Sequence, residues 1–161
     1  MGRWRRFMVA GVVAWLSVAA ALAQERPGAA AAPEPLPGSP APSHVVAEIR
    51  QTVDAAIARF EAMDAAGVLA HVSDRYRTGP LTKAVVAEQL RTVFAIHDQV
   101  RARVRIDDIR MVGDHAWVYS TGEVTGRLRY LGTTMPVVSW ERELEVGRRE
   151  NGRWRLFGYQ Q

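Results

Sequence analysis

VRARVRIDDIRM, residues 100–111, places Val100, Ala102, Val104 and Ile106 on one side of an extended chain and Arg101, Arg103 and Arg105 on the other. This period of two marks a β-strand with one apolar face. The pattern resumes in opposite phase at Ile109 and Met111, which predicts a β-bulge at Asp107-Asp108. Three more segments follow: AWVYSTGEV (116–124), VVSWERELEV (137–146) and WRLFGYQ (154–160). Gly113-Asp114, Gly132 and Asn151-Gly152 separate them, and the last is a type I′ hairpin signal. The reading is a four-stranded antiparallel meander. In the second strand Ala116, Trp117, Val118 and Tyr119 are apolar on both faces, so one face needs a cover from the domain's contents or a second subunit. In the third, Trp140, Leu144 and Val146 alternate with Glu141, Glu143 and Glu145.

Upstream of the meander the period changes to that of helices. Val45, Val46, Ile49, Val53, Ala56, Ile57, Phe60 and Met63 form the apolar stripe of a helix of about five turns, which Ser43 can cap. Asp64 can cap a short second helix with Val68, Leu69 and Val72, and Gly79-Pro80 marks a turn. Thr82 starts a third helix with Val86, Leu90, Val93, Phe94 and His97 on one stripe.

Residues 1–23 read as a secretory signal, with Arg3, Arg5 and Arg6 before an apolar run and Ala21-Leu22-Ala23 as the cleavage motif. The run from Phe7 to Ala23 is only 17 residues, marginal for a membrane span, although a retained envelope anchor is the rival reading. Residues 24–42 carry six prolines and read as an extended Pro/Ala-rich linker, leaving 43–161 as one domain. The expected location is the bacterial periplasm, with membrane contact only through the leader.

The chain of 161 residues has 21 basic and 17 acidic side chains, a net charge of +4. Taking the three leader arginines from the 21 leaves 18 against 17, no footprint for nucleic acid. The absence of cysteine excludes disulfides, thiolate nucleophiles, cysteine zinc sites and a lipobox. His44, His71, His97 and His115 have no metal-ligand spacing, and neither a P-loop nor a G-x-S-x-G elbow occurs, so no metal or cofactor is expected.

Three helices followed by a meander, the Asp74-Arg75-Tyr76 segment after the second helix, and the closing Gly152-Arg153-Trp154-Arg155-Leu156 resemble the nuclear transport factor 2-like superfamily, which includes the SnoaL-like and ketosteroid-isomerase-like proteins. The resemblance covers residues 43–161. It implies an α+β fold, helices packed into a strongly curved antiparallel sheet as an open cone whose mouth takes small apolar molecules. For the isomerase-like members it implies a carboxylate base deep in the cone, opposed by tyrosine or protonated-acid donors. Asp74 is the candidate base with Tyr76 or His97 as partner; alternatively Asp74 pairs with a neighbouring arginine or caps the turn. His97 reads equally as a core histidine.

Tyr76, His97, Trp117, Tyr119, Tyr130 and Trp140 are the expected pocket lining, with core packing the alternative for Trp140. The arginine row 101/103/105 and the glutamate row 141/143/145 are expected to share the outer sheet face, suited to a homodimer. The leading functional expectation is an exported ligand-binding or assembly module, with an isomerase, cyclase or dehydratase as the alternative.

Overall fold

A computed structural model describes residues 36–160. The leader, most of the linker and Gln161 lie outside the described residues. In chain order the elements are β1 (Ser39–Pro40), α1 (Ser43–Glu61), α2 (Ala65–Leu69), β2 (Arg77–Thr78), β3 (Leu81–Thr82), α3 (Lys83–Ile96), β4 (His97–Val112), β5 (His115–Leu128), β6 (Thr134–Glu150) and β7 (Arg153–Leu156). The fold is α+β, with a five-stranded antiparallel sheet in the order β1-β4-β5-β6-β7.

The helices bury the residues their periodicity selects. Along α1, Val45, Ile49, Val53, Ala56 and Phe60 recur every three or four positions and are buried, and on α3 Val86, Leu90 and Val93 are. Asp64 caps α2 by accepting from the Gly67 amide at 2.9 Å, and Thr82 accepts from the Val85 amide at 3.4 Å. Ser43 caps nothing. The N-cap position of α1 is Pro42, with no side-chain hydrogen bond. The expected linker also gives up its last residues, because Ser39 and Pro40 pair with Met111 and Arg110 and cover that end of β4. The Gly79-Pro80 turn joins β2 and β3 into a minimal hairpin.

Two buried clusters lie under the sheet. Phe60, Tyr76, Leu90, Val100, Val124, Trp140 and Leu156 belong to one. Val45, Ile49, Val53, Ile109, Ala116, Val118 and Trp154 belong to the other. The register therefore turns the even-numbered residues of β5, from Ala116 to Gly126, toward the helices.

The bulge expected at Asp107-Asp108 is present, as a register shift between Ile106 and Asp108. A second one decides more. Ser120 faces Glu143 and Gly122 faces Trp140, so Thr121 alone spans Glu141 and Arg142, and Arg142 takes the left-handed conformation with φ 48°. Its amide donates to the Thr121 hydroxyl at 3.0 Å, and that hydroxyl donates to Asp107 at 2.6 Å, tying the two bulges together.

The extra residue reverses the phase of β6. Trp140 stays on the inner face, but beyond Arg142 the inward residues are Glu143 and Glu145, opposite Ser120 and Val118. Leu144 and Val146 instead lie outward, opposite Tyr119 and Trp117. The glutamate row is thus no companion of the arginine row, because a single inserted residue exchanges the faces of everything after it.

The second apolar face of β5 is covered from within the chain. Trp117 meets Tyr159 edge-on at 5.7 Å between centroids, His115 meets Phe157 at 5.2 Å, and the Arg142 guanidinium lies 5.9 Å from the Tyr119 ring. The segment 157–160 that supplies these rings is strapped down by hydrogen bonds from the Arg77 amide to the Phe157 carbonyl and from the Tyr159 amide to Thr78.

Gly122 is the tightest seat in the sheet. A Cβ there would lie 2.5 Å from the Arg103 carbonyl oxygen and closer still to the Trp140 ring. Backbone of a central strand cannot retreat, so Gly122→Ala is expected to cost about 2–3 kcal/mol, measured as a lower urea midpoint at unchanged m-value.

Candidate functional site

A run of acids within a strand ordinarily lies on the solvent face, where charge remains hydrated. Here the Arg142 bulge carries two of them inside. Glu145 is 8% exposed, against Val118 on the inner face, and forms no ion pair among the described residues. Burial raises its pKa well above the ordinary carboxylate value, and the neighbouring charge of Glu143 raises it further. Glu145 is therefore a carboxyl whose protonated form the fold favours.

Tyr76 is buried in the adjoining cluster, 3% exposed. Its position is set by the short segment between Ser73, whose amide donates to the Leu156 carbonyl at 2.8 Å, and Arg77, whose amide donates to the Phe157 carbonyl. Desolvation first, and then the nearby Glu145 carboxyl, push its hydroxyl up, against a smaller opposing effect from a hydrogen bond with Thr78. The phenol stays a donor. Beneath these groups, Trp140 Nε1 donates to the Ser120 hydroxyl at 3.1 Å, and Ser120 is the cross-strand partner of Glu143. The inner face thus carries two carboxyls two residues apart, about 7 Å along the strand, with tyrosine, serine and indole groups around them. Such a set can hold one acid protonated and one ionised, the requirement for passing a proton across a small molecule.

Asp74 stands elsewhere. Its side chain is 85% exposed and bonds Lys83 Nζ at 2.7 Å, and that hydrogen bond first, with the lysine charge, holds its carboxyl below the usual range. A solvated carboxylate with a lysine partner is not the base of a cone, and that partner is Lys83 rather than the arginine expected as the alternative. Only Tyr76 of the expected trio lies by the inward acids.

His97 is buried at 3% and its Nδ1 lies 3.0 Å from the Val93 carbonyl, with the ring packed on Gly126. Gly126 is eight residues from Val118 along β5, roughly 26 Å of extended strand, so His97 belongs to the opposite end. Tyr130 is 90% exposed in the turn between β5 and β6 and lines nothing. Trp117 and Tyr119 face away from the helices, and Trp140 faces inward. Glu143 and Glu145 were missed because strict alternation from Trp140 assigns them to the surface; the run Glu141-Arg142-Glu143-Leu144-Glu145 in a strand otherwise rich in apolar residues was the available signal.

Clefts open on the surface formed by the described residues. The first, about 610 Å³, lies between α1, α2 and β7 and includes His71, Arg59, Arg153 and Arg155. The second, about 400 Å³, is a trough on the outer sheet face over Arg103, Arg105, Thr121, Glu123 and Ser139. The third, about 370 Å³, is lined by Ser73, Arg75, Asp114, Arg148 and Glu150 among others. Among the described residues no group of three or more histidine, aspartate or glutamate side chains is placed to hold a metal ion, and no helix is long and apolar enough to cross a membrane.

No family model matches the chain, and no curated protein matches it in sequence. Solved structures do match in shape. A conserved protein from Planctomyces limnophilus superposes with a TM-score of 0.64 at 14% identity, over 73% of this chain and 94% of that one. A ketosteroid isomerase-like protein from Erwinia carotovora atroseptica gives 0.56 at 22% identity, over 72% and 93%. A hexachlorocyclohexane dehydrochlorinase gives 0.56 at 9% identity, over 71% and 82%.

Proposed function

Given that the chain has the nuclear transport factor 2-like fold, we propose that it is a small-molecule acid–base catalyst, an isomerase or dehydratase of a largely apolar carbonyl or hydroxyl compound. The observation that carries this is the inward pair Glu143 and Glu145 beside Tyr76, two acids on the helix-facing side of a sheet where solvated charges have no place. Buried Glu145, in the protonated form that its burial favours, donates to the substrate oxygen, a carbonyl or a departing hydroxyl. Half-buried Glu143 takes the proton from the adjacent carbon, and Tyr76 gives a second hydrogen bond to the developing oxyanion. Two of the matching structures are named as a ketosteroid isomerase-like protein and a dehydrochlorinase, which supports a small-molecule reading.

The test is deuterium exchange α to the carbonyl of 1-indanone and 2-cyclohexenone in D₂O, followed by proton NMR. Wild type is expected to accelerate exchange, and Glu143→Gln to lose about 100-fold or more of it, in line with a general base. Asp74→Asn, far from the pair and solvated, is expected to stay within about twofold. Equal exchange by wild type and Glu143→Gln removes the catalytic reading and returns the protein to a binding module.

The proposal extends to an exported protein that pairs through its sheet. The leader motif at 1–23 supports the first, and the trough over Arg103, Glu123 and Ser139 on the outer face supports the second. Sedimentation velocity of the chain lacking residues 1–23 checks the pairing: a monomer at all concentrations ends it.

A further inference from the structure

The polar groove between α1, α2 and the β6–β7 hairpin plays no part in the chemistry above, and its charges do not balance. It is lined by Glu48, Asp64, Arg59, Arg153 and Arg155, around His71. Both acids are already engaged. Asp64 pairs with Arg59 at 3.3 Å, and Glu48 accepts from Arg149, which is outside the lining, and from Trp154 Nε1 at 2.9 Å. That leaves Arg153 and Arg155 with no ion pair among the described residues, two alternate residues of β7 with the indole of Trp154 between them in sequence. Arg155 carries a further deficit, because its Nε is buried with no hydrogen-bond acceptor. A buried guanidinium donor without an acceptor costs free energy that an incoming oxyanion would recover.

We propose that this groove is a binding site for an oxyanion-bearing small molecule, one with a phosphate or carboxylate group, held by Arg153 and Arg155 with His71 as a further hydrogen-bonding group. The guanidinium forks match such a group bidentately, and a volume of about 610 Å³ is that of a small-molecule site. The walls are well fixed. The Leu156 amide donates to the His71 carbonyl at 2.8 Å and the Ser73 amide to the Leu156 carbonyl at 2.8 Å, so the segment holding His71 is laced to the strand that holds Arg155. The half-buried ring of His71 has its pKa lowered, first by desolvation and then by the positive charges of Arg59, Arg155 and Arg153, and the acids that line the groove, Asp64 and Glu48, are already engaged. An anion seated among these arginines would offset that repulsion, so its arrival is readable at the histidine. The site shares none of Glu143, Glu145 or Tyr76, and does not depend on the proposal for that pair.

The experiment is an NMR titration of the described domain within the leaderless chain, with inorganic phosphate in one arm and succinate in the other, at ionic strength held constant with sodium chloride. The reporters are the His71 ring and the Gly152 amide. Saturable shifts in either arm, with His71 titrating at higher pH in the bound form, are expected, and the arm that saturates names the group. Arg153→Gln, at an exposed position, is expected to weaken binding severalfold, and Arg153→Gln with Arg155→Lys, which keeps the second charge but removes its fork, by about tenfold. Shifts that never saturate, or the same affinity in wild type and both variants, overturn the proposal.

Discussion

Glu145→Gln is expected to raise the stability of the domain above neutral pH and to leave it nearly unchanged at about pH 4. The folded-state pKa of Glu145 lies well above the value of 4.5 that it has in an unfolded chain, through burial and then Glu143. Below that unfolded value both states carry the proton, and the carboxyl has no effect on pH dependence. As pH rises past it the unfolded chain releases the proton and the folded one keeps it, so unfolding becomes more favourable by about 1.4 kcal/mol per pH unit until the folded pKa is passed. Glutamine has no proton to lose. The two stability curves, from urea melts between pH 4 and pH 9, should therefore meet at the acid end and diverge toward the alkaline end. Parallel curves would show that Glu145 is ionised in the fold and remove the acid from the proposed pair.

Trp140→Ala is expected to be the more damaging change in absolute terms, about 3–5 kcal/mol at any pH. The indole is 6% exposed, lies against Gly122 where no Cβ fits, belongs to the same cluster as Phe60, Tyr76 and Leu156, and donates its Nε1 hydrogen to Ser120. The truncation leaves a cavity beside the two acids and an unsatisfied serine hydroxyl. Two measurements check it: the loss of urea midpoint, and its partial recovery on adding free indole, which fits the vacated space. Tyr130→Ala, at a position 90% exposed, is the control and should stay within about 0.5 kcal/mol. A Trp140 variant no less stable than the Tyr130 variant would mean that the interior does not rest on this ring.

The sheet was readable because its signals are local. Two-residue turns at Gly113-Asp114 and Asn151-Gly152 demand positive φ, supplied at Gly113, Asn151 and Gly152, and the doubled aspartate at 107–108 betrays its bulge by reversing the phase of Ile109 and Met111 within the same strand. Helix caps at Asp64 and Thr82 were equally local. The Arg142 bulge was not. Nothing in Glu141-Arg142-Glu143 prefers the left-handed backbone; the residue is held there by Thr121 on β5, which Asp107 on β4 in turn positions. Its consequence, two glutamates on the inner face, could not be read from β6 alone. Asp74 failed as a candidate for a similar reason, since Lys83 lies nine residues on, across the β2–β3 hairpin, and only the hairpin brings it within 2.7 Å.

By itself, then, the sequence determined the α+β order of elements, the faces of β4 and of α1, the turns between strands, and the resemblance to the nuclear transport factor 2-like superfamily, because periodicity, turn chemistry and caps act over a few residues. The tertiary structure alone decided which acids face inward, that the outer face of β5 is covered by Phe157 and Tyr159 of its own chain, and that Arg153 and Arg155 form no ion pair among the described residues. Those outcomes depend on the register between strands distant in sequence, and one residue inserted opposite Thr121 is enough to exchange the inside of a strand with its outside.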